Sequence, residues 1–346
     1  MKIASRATLT GLFLLTFALA AAHRGAGRDE AALAMGNAAS AFLDGLDANQ
    51  RSRAVFALES PLRTNWHFVP RERAGLALGD LDGASRARFD ALLGTGLSPQ
   101  GRAKFDGVLK LESLLREIES KPDRPATWRD PARYHIAIFG VPGTDPWGWR
   151  LEGHHWSVHF TSVDADVIAV TPNFVGANPA RTSEGPDSHF ELLGAEDQRA
   201  SDFVSSLSDE QREAARLAGK MPTDVLLDPT RANLDTPPAG IGAALLDAKQ
   251  KELLVAIVHG YFADLSAPLA QRERQRFDVT AQDQLHFAWS GESAGQGPWY
   301  WRVTGPYFAI EFVYPEGNVG HAHRIWRDFE RDFGGDALRE HLKSER

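Results

Sequence analysis

The chain has 346 residues, 43% of them hydrophobic, and a formal net charge of −8 with an isoelectric point near 5.9. That balance, with no compact lysine or arginine run, argues against nucleic acid as a partner, because binding phosphates takes a basic surface. Cysteine is absent, so disulfide staples and a lipid-modified leader are both excluded, and the fold must stand on a core that a chain of this length can bury.

In chain order, Lys2 and Arg6 precede an apolar run from Leu9 and small residues at Ala18 to Ala22. This is the pattern of a secretory signal peptide over 1–22 and predicts export to the periplasm or beyond. The run is too short for a comfortable span, so no membrane segment is expected after cleavage. Residues 23–37 read as a loose small-residue segment, and 38–346 as a single α+β domain. Asp47 with Gln50, Ser208 with Gln211 and Asp247 with Gln250 each have the spacing of a capping box at a helix start. Their irregular separation reads as reused local grammar rather than a solenoid repeat. Two further helices are predicted from Ser85 to Leu93 and from Ser98 to about Ser120, the second with Pro99 just inside its start and Pro122 and Pro125 beyond its end.

From Tyr134 the character changes to short, aromatic, β-branched segments bounded by Gly and Pro, including 134–143, 147–176, 284–291, 298–317 and 321–329. These are strand signatures. Short connections between most of them predict an antiparallel sheet, with a helical block from about Ala195 to Asp264 and helices packed around the sheet. Met221 to Gly240 reads as a loop within the domain.

The most chemically loaded stretch is WGWRLEGHHWSVHF, Trp147 to Phe160, with a counterpart in GHAHRIWRD, Gly320 to Asp328. Read as one extended strand, the first places Arg150, Glu152, His154 and Trp156 on one face and His155, Ser157 and His159 on the other. His155 is then the better placed to meet a ligand. His155 and His159, about 13 Å apart in such a strand, cannot easily clasp one ion. His321 and His323, at i and i+2, can converge on a metal, with a third ligand from His155 or His154. Glu311 stands in the apolar FAIEFVY and needs a cation, an arginine or a metal, with Arg150, Arg302 and Arg327 as candidates. The competing expectation is structural: histidines satisfied inside an aromatic core, and stacked Trp-Arg-Asp networks.

Other motifs fail on context. GESAG, Gly291 to Gly295, matches the nucleophile elbow of serine hydrolases, with Asp328 or Asp332 and His341 in the hydrolase order. It joins strand to strand, however, whereas the elbow passes from strand to helix, so Ser293 is a weak nucleophile candidate. DFG at Asp332 to Gly334 has no accompanying phosphate loop. His23 would bind copper only if cleavage exposed it beside a free amino terminus.

WGWRLEGHHWSVHFT, TPNFVGANPA, FAWSG with GPYFAIEFVY, and HAHRIWRDFERDFGGDALREHL together resemble a bacterial family known as domain of unknown function 3500. NWHFVPRERAGLAL and LSDEQREAA fit it too, so the likeness spans roughly Ala38 to the end. The resemblance implies no established activity. Where His159 and Gly320 stand, the family pattern has asparagine, which argues against His159 as an essential ligand and for a looser presentation of His321.

The leading expectation is an exported α+β protein with a histidine metal site of His154 or His155, His321 and His323. Glu311 or Glu152 would serve as further ligand or general base, and Arg150, Trp156, Arg327 and Asp328 would line the binding site. Zinc is the first metal expected and copper the second; metal-assisted hydrolysis is the chemistry such a site would support. The alternative is a non-enzymatic protein that binds a sugar or aromatic molecule in a groove of Trp147, Trp149, Trp156, Trp299, Trp301 and Trp326.

Overall fold

A computed structural model describes residues 29–144, 146–163, 166–182, 190–230, 236–280, 282–292, 297–335 and 338, with only the backbone at 166–168. The leader, His23, Ser293 and His341 lie outside the described residues. The architecture is α+β: a twelve-stranded, mostly antiparallel sheet in the order β1-β3-β4-β5-β7-β12-β11-β10-β9-β8, with β2 and β6 beside β3 and β5. Its strands are β1 (Val55–Phe56), β2 (Leu76–Ala77), β3 (His135–Phe139), β4 (Trp147–Gly153), β5 (Trp156–Val163), β6 (Asp166–Ala169), β7 (Asn173–Ala177), β8 (Ile241–Gly242), β9 (His286–Gly291), β10 (Trp299–Thr304), β11 (Phe308–Val313) and β12 (Ala322–Asp328). No described helix is long and apolar enough to cross a membrane.

The helices are α1 (Glu30–Asp44), α2 (Ala48–Ala54), α3 (Gly83–Gly96), α4 (Pro99–Glu119), α5 (Gly194–Ser206), α6 (Asp209–Ala214), α7 (Ala248–Phe262) and α8 (Ala267–Thr280). All three expected capping boxes form, with both reciprocal bonds present at Asp47/Gln50, Ser208/Gln211 and Asp247/Gln250. The expected loose segment is helix instead from Glu30. Asp29 caps it, accepting from Ala31 N and Ala32 N at 2.8 and 3.1 Å, and Ala32, Met35, Ala39 and Phe42 are buried. An alanine-rich stretch loses little on becoming helix, and here its small side chains allow close packing.

The chain is an internal repeat. In each half a capping-box helix leads to a chain segment paired in parallel with a later strand: Val55 opposite Ile138 in the first, Arg216 opposite Trp289 in the second. A two-residue strand, two long helices and an antiparallel meander then follow in the same order, 76–177 and 241–328. Leu78 N bonds Tyr134 O, and Ala243 N bonds Leu285 O, both at 2.8 Å. The sequences echo one another at WGWRLEG and WYWRVTG, then at WSVHF and FAIEF. The equivalent last strands, β7 and β12, pair with each other at the sheet's centre, Asn173 opposite Trp326.

The helix turns of the two halves also clasp reciprocally. Ser98 Oγ donates to Ala263 O at 2.6 Å and Ser266 Oγ to Thr95 O at 2.7 Å, around a Leu97–Leu265 bridge. A buried ion network of Lys104, Glu196, Asp264 and Arg324 joins α4 to the second half, with Lys104 to Asp264 at 2.8 Å and Arg324 to Asp264 at 2.6 Å.

One sheet face carries Trp149, Leu151, Trp156, Val158, Phe160, Trp299, Trp301 and Val303 into the helix-covered core. Each such large side chain contributes about 1.5–3 kcal/mol by leaving water. The opposite face is covered by two straps, residues 57–75 and 217–230. A second cluster lies there, with Trp66, Phe68, Val225 and Leu227 of the straps packed on Phe174, Tyr300, Ala309 and Ile325.

Candidate metal centre

The first loaded stretch is a hairpin, not one strand. Gly153 pairs with Trp156, leaving His154 and His155 as a two-residue turn, with His155 at φ 60°. This conformation is uncommon outside glycine, though histidine is among the residues enriched in it. The turn reverses the expected phase: Arg150 pairs with His159 and Glu152 with Ser157, so these four share the strap face while Trp156 faces the core. The turn also frees both imidazoles from the alternation of a strand.

The hairpin places His155 against the start of β12. Its N–H donates to Phe68 O of the first strap at 2.9 Å and its carbonyl accepts from Gly176 N at 2.8 Å, while Gly176 lies opposite His323 in the sheet. His155 Nε2 and His321 Nε2 stand 2.9 Å apart. His323 directs Nδ1 to Asp224 Oδ1 at 2.7 Å, and its buried Nε2 has no partner. One ligand nitrogen from each of the three histidines lies within 4.8 Å of the others, with His155 and His323 buried and His321 half-buried. This group could hold a metal.

Space for the rings comes from Gly176. A Cβ there would stand 2.6 Å from His155 Cδ2 and 3.0 Å from His323 Cδ2. The turn before His321 is held despite Gly320, which donates to Asn318 Oδ1 at 2.9 Å while its carbonyl accepts from Ala180 N at 2.7 Å. Burial, then the neighbouring histidines, pushes His155 well below the usual histidine range. Burial and His323 push His321 down to about 3, with Asp224 opposing. Both imidazoles are therefore neutral at physiological pH, the form that ligates metals.

Nitrogens bound to a tetrahedral metal at about 2 Å stand about 3.3 Å apart, so the close pair needs to open by only roughly 0.4 Å. The donor set also fits: one nitrogen is orphaned, and its ring is oriented from behind by a carboxylate.

His154 turns the other way. It stacks on His155 with ring centroids 3.7 Å apart, and its Nδ1 meets Glu112 Oε2 at 2.5 Å beside Arg129. Burial, then Arg129, pushes His154 down to about 2, while burial raises Glu112 to about 7.

The remaining expected site residues bond elsewhere. Glu152 is buried between Arg73 Nε at 2.8 Å and Arg150 Nε at 3.3 Å, and Arg150 Nη1 donates to Leu62 O and Asn65 O. Glu311 accepts from Leu226 N, Leu227 N and Tyr300 Oη at 2.7, 3.0 and 2.8 Å. Backbone amides and a phenol thus satisfy its oxygens, and Arg302, one of the expected arginines, lies opposite it in the sheet and favours its charge. Arg327 donates to Leu227 O at 2.9 Å and pairs with Asp332. Asp328 pairs with Arg276 and caps Glu330 N and Arg331 N.

All of these side chains but Asp328 fasten the straps over the sheet. Glu311 and Arg327 do so just beyond Asp224, so they hold the loop that orients His323. His159 meets Ser157 Oγ at 3.1 Å and the edges of Trp66 and Phe333. The six tryptophans of the expected groove are all within 1% of complete burial, so the groove reading is corrected: they are core. Asp224, Gly176 and Glu112 escaped the sequence reading. Only TDVLLD, a carboxylate in an otherwise apolar loop, and the glycine in NFVGA could have pointed to the first two.

No curated protein and no solved structure matches the chain. A family model described as a protein of unknown function (DUF3500) matches residues 28–335, nearly all of the described fold and the whole histidine group, and the chain belongs to that family.

Proposed function

We propose that this is an exported metalloprotein whose His155, His321 and His323 hold one zinc ion, with copper the second candidate. The observation that carries the reading is the buried Nε2 of His323, without a partner among the described residues, on a ring held through Asp224 whose ligand nitrogen lies within 4.8 Å of those of His155 and His321. Three imidazoles with no thiolate or thioether suit zinc or Cu(II) better than Cu(I).

A three-histidine set leaves a fourth position, and a metal there would lower the pKa of bound water towards neutrality, which is why metal-assisted hydrolysis is the activity proposed. Asp224 is the carboxylate that touches the group. Its side chain is 40% exposed and holds the His323 ring, whereas Glu311 and Glu152 are committed to the straps.

The test is elemental analysis by plasma mass spectrometry of protein purified without a histidine tag, beside a His321→Ala/His323→Ala variant. Near one equivalent of zinc or copper, lost in the variant, is expected. Metal-free protein that does not take up either ion on reconstitution would remove the proposal.

A further inference from the structure

On the helix-covered side of β12 lies a cleft of about 530 Å³. Its floor is apolar, with Phe312, Leu193, Ala180 and Ala322, and Val319 stands at its rim, 53% exposed. The cleft is separate from the histidine group. Ala322 and Phe312 belong to the helix-side core, whereas His323 packs on Phe68 and Phe174 of the strap side.

Three charged side chains line the cleft: Arg181, Glu191 and Asp197. Arg181 and Glu191 neutralise each other in an ion pair. Asp197 is different. Its two oxygens accept from neutral donors, Trp299 Nε1 at 2.7 Å and Tyr314 Oη at 2.9 Å, and among the described residues no cation lies within ion-pairing distance of it. A carboxylate withdrawn from water usually has a cationic or metal partner, because hydrogen bonds from neutral groups offset only part of its desolvation. Each oxygen can still accept another bond.

Beside it the rings of Tyr314 and Phe312 meet edge to face, with centroids 5.3 Å apart, offering apolar area and a π face to a cation. With Arg181 as the one cation against Glu191 and Asp197, the described lining carries one net negative charge over an apolar floor, in a volume suited to a small molecule.

We propose that this cleft binds a small organic monocation, a primary ammonium on a short apolar or aromatic body, with Asp197 as its counter-charge. Neither the metal nor the hydrolytic reading is needed for it.

The probe is 2-phenylethylammonium, compared with 2-phenylethanol as its neutral counterpart and 3-phenylpropanoate as an anion. Binding is followed by calorimetry and by the indole N–H resonance of Trp299, identified among the nine tryptophans with Trp299→Phe. The ammonium is expected to bind saturably, at least about tenfold more tightly than the alcohol, and the anion not at all. Asp197→Asn keeps the shape and one acceptor oxygen for Trp299 Nε1, while the Tyr314 hydroxyl can turn to accept from the new amide; it should weaken the ammonium at least about tenfold, with metal content unchanged. Should that variant unfold, Val319→Trp at the exposed rim fills the mouth while leaving Asp197 and its two donors in place, and should abolish binding. Equal affinity for alcohol and ammonium, undiminished binding in Asp197→Asn or Val319→Trp, or no saturation below about 10 mM ammonium would overturn the proposal.

Discussion

The two halves share one frame and differ where chemistry is possible. In the first, the hairpin turn after WGWRLEG is His154-His155; in the second, the turn after WYWRVTG is Pro306-Tyr307. His155 reaches across to β12 of the other half, whereas Tyr307 lies under Arg276, whose guanidinium stands 3.6 Å from the ring centroid and pairs with Asp328. The first turn thus makes a junction between halves that gathers three imidazoles, whereas the second meets an ion pair within its own half. The same contrast runs down the next strand, where His159 and Glu311 occupy equivalent positions beneath the two straps. The lesson is that repetition fixes the scaffold, while the candidate site exists only where the halves diverge.

Breaking the comparison at the straps should cost most. Glu311→Ala leaves Leu226 N, Leu227 N and the Tyr300 hydroxyl without their acceptor. At about 1–3 kcal/mol for each buried unsatisfied group, partly relieved by water, a loss of about 3–5 kcal/mol is expected in chemical denaturation. A loss below 1 kcal/mol would mean that the strap is not held this way.

Beside Arg276 under the second turn, burial raises Glu273 to about 7. Its folded pKa exceeds the unfolded value, so its contribution to stability is full below about pH 4.5 and is lost as pH rises through 7. Glu273→Gln should therefore gain on the wild type by about 3 kcal/mol between pH 5 and pH 8; parallel pH–stability curves for the two proteins would count against this.

At the first junction, Asp224→Asn removes the charge behind His323 and should weaken metal binding by about 10–100-fold, read by competition with a chelating dye. Unchanged affinity would separate Asp224 from the site. The smallest effect is expected from His159→Asn, which gives up one hydrogen bond and two ring edges for about 1 kcal/mol or less, with metal content unchanged.

Much of the frame was legible in the chain. Capping boxes depend on residues three apart and strands on local alternation, so α2, α6, α7 and the β9 to β12 meander could be found from short windows. His321 and His323 were legible as a pair for the same reason, since spacing within one strand decides it.

The hairpin at His154-His155 was not. Its turn lacks the usual Asn-Gly or Asp-Gly, and overlooking a two-residue turn shifts every later side chain to the wrong face. Asp224 and Gly176 could not be placed beside His323 without knowing that a strap from 217–230 crosses the sheet and that β7 pairs with β12. The repeat itself was visible in WGWRLEG against WYWRVTG, but the three capping boxes obscured it, since only two of them are equivalent.

The measurement that tests the central claim most directly is anomalous diffraction at the zinc and copper absorption edges from crystals of the untagged protein. The account predicts one peak about 2 Å from ligating nitrogens of His155, His321 and His323, beneath the space left by Gly176. A metal bound elsewhere, or a fully ordered triad with no peak after soaking in either ion, would contradict it.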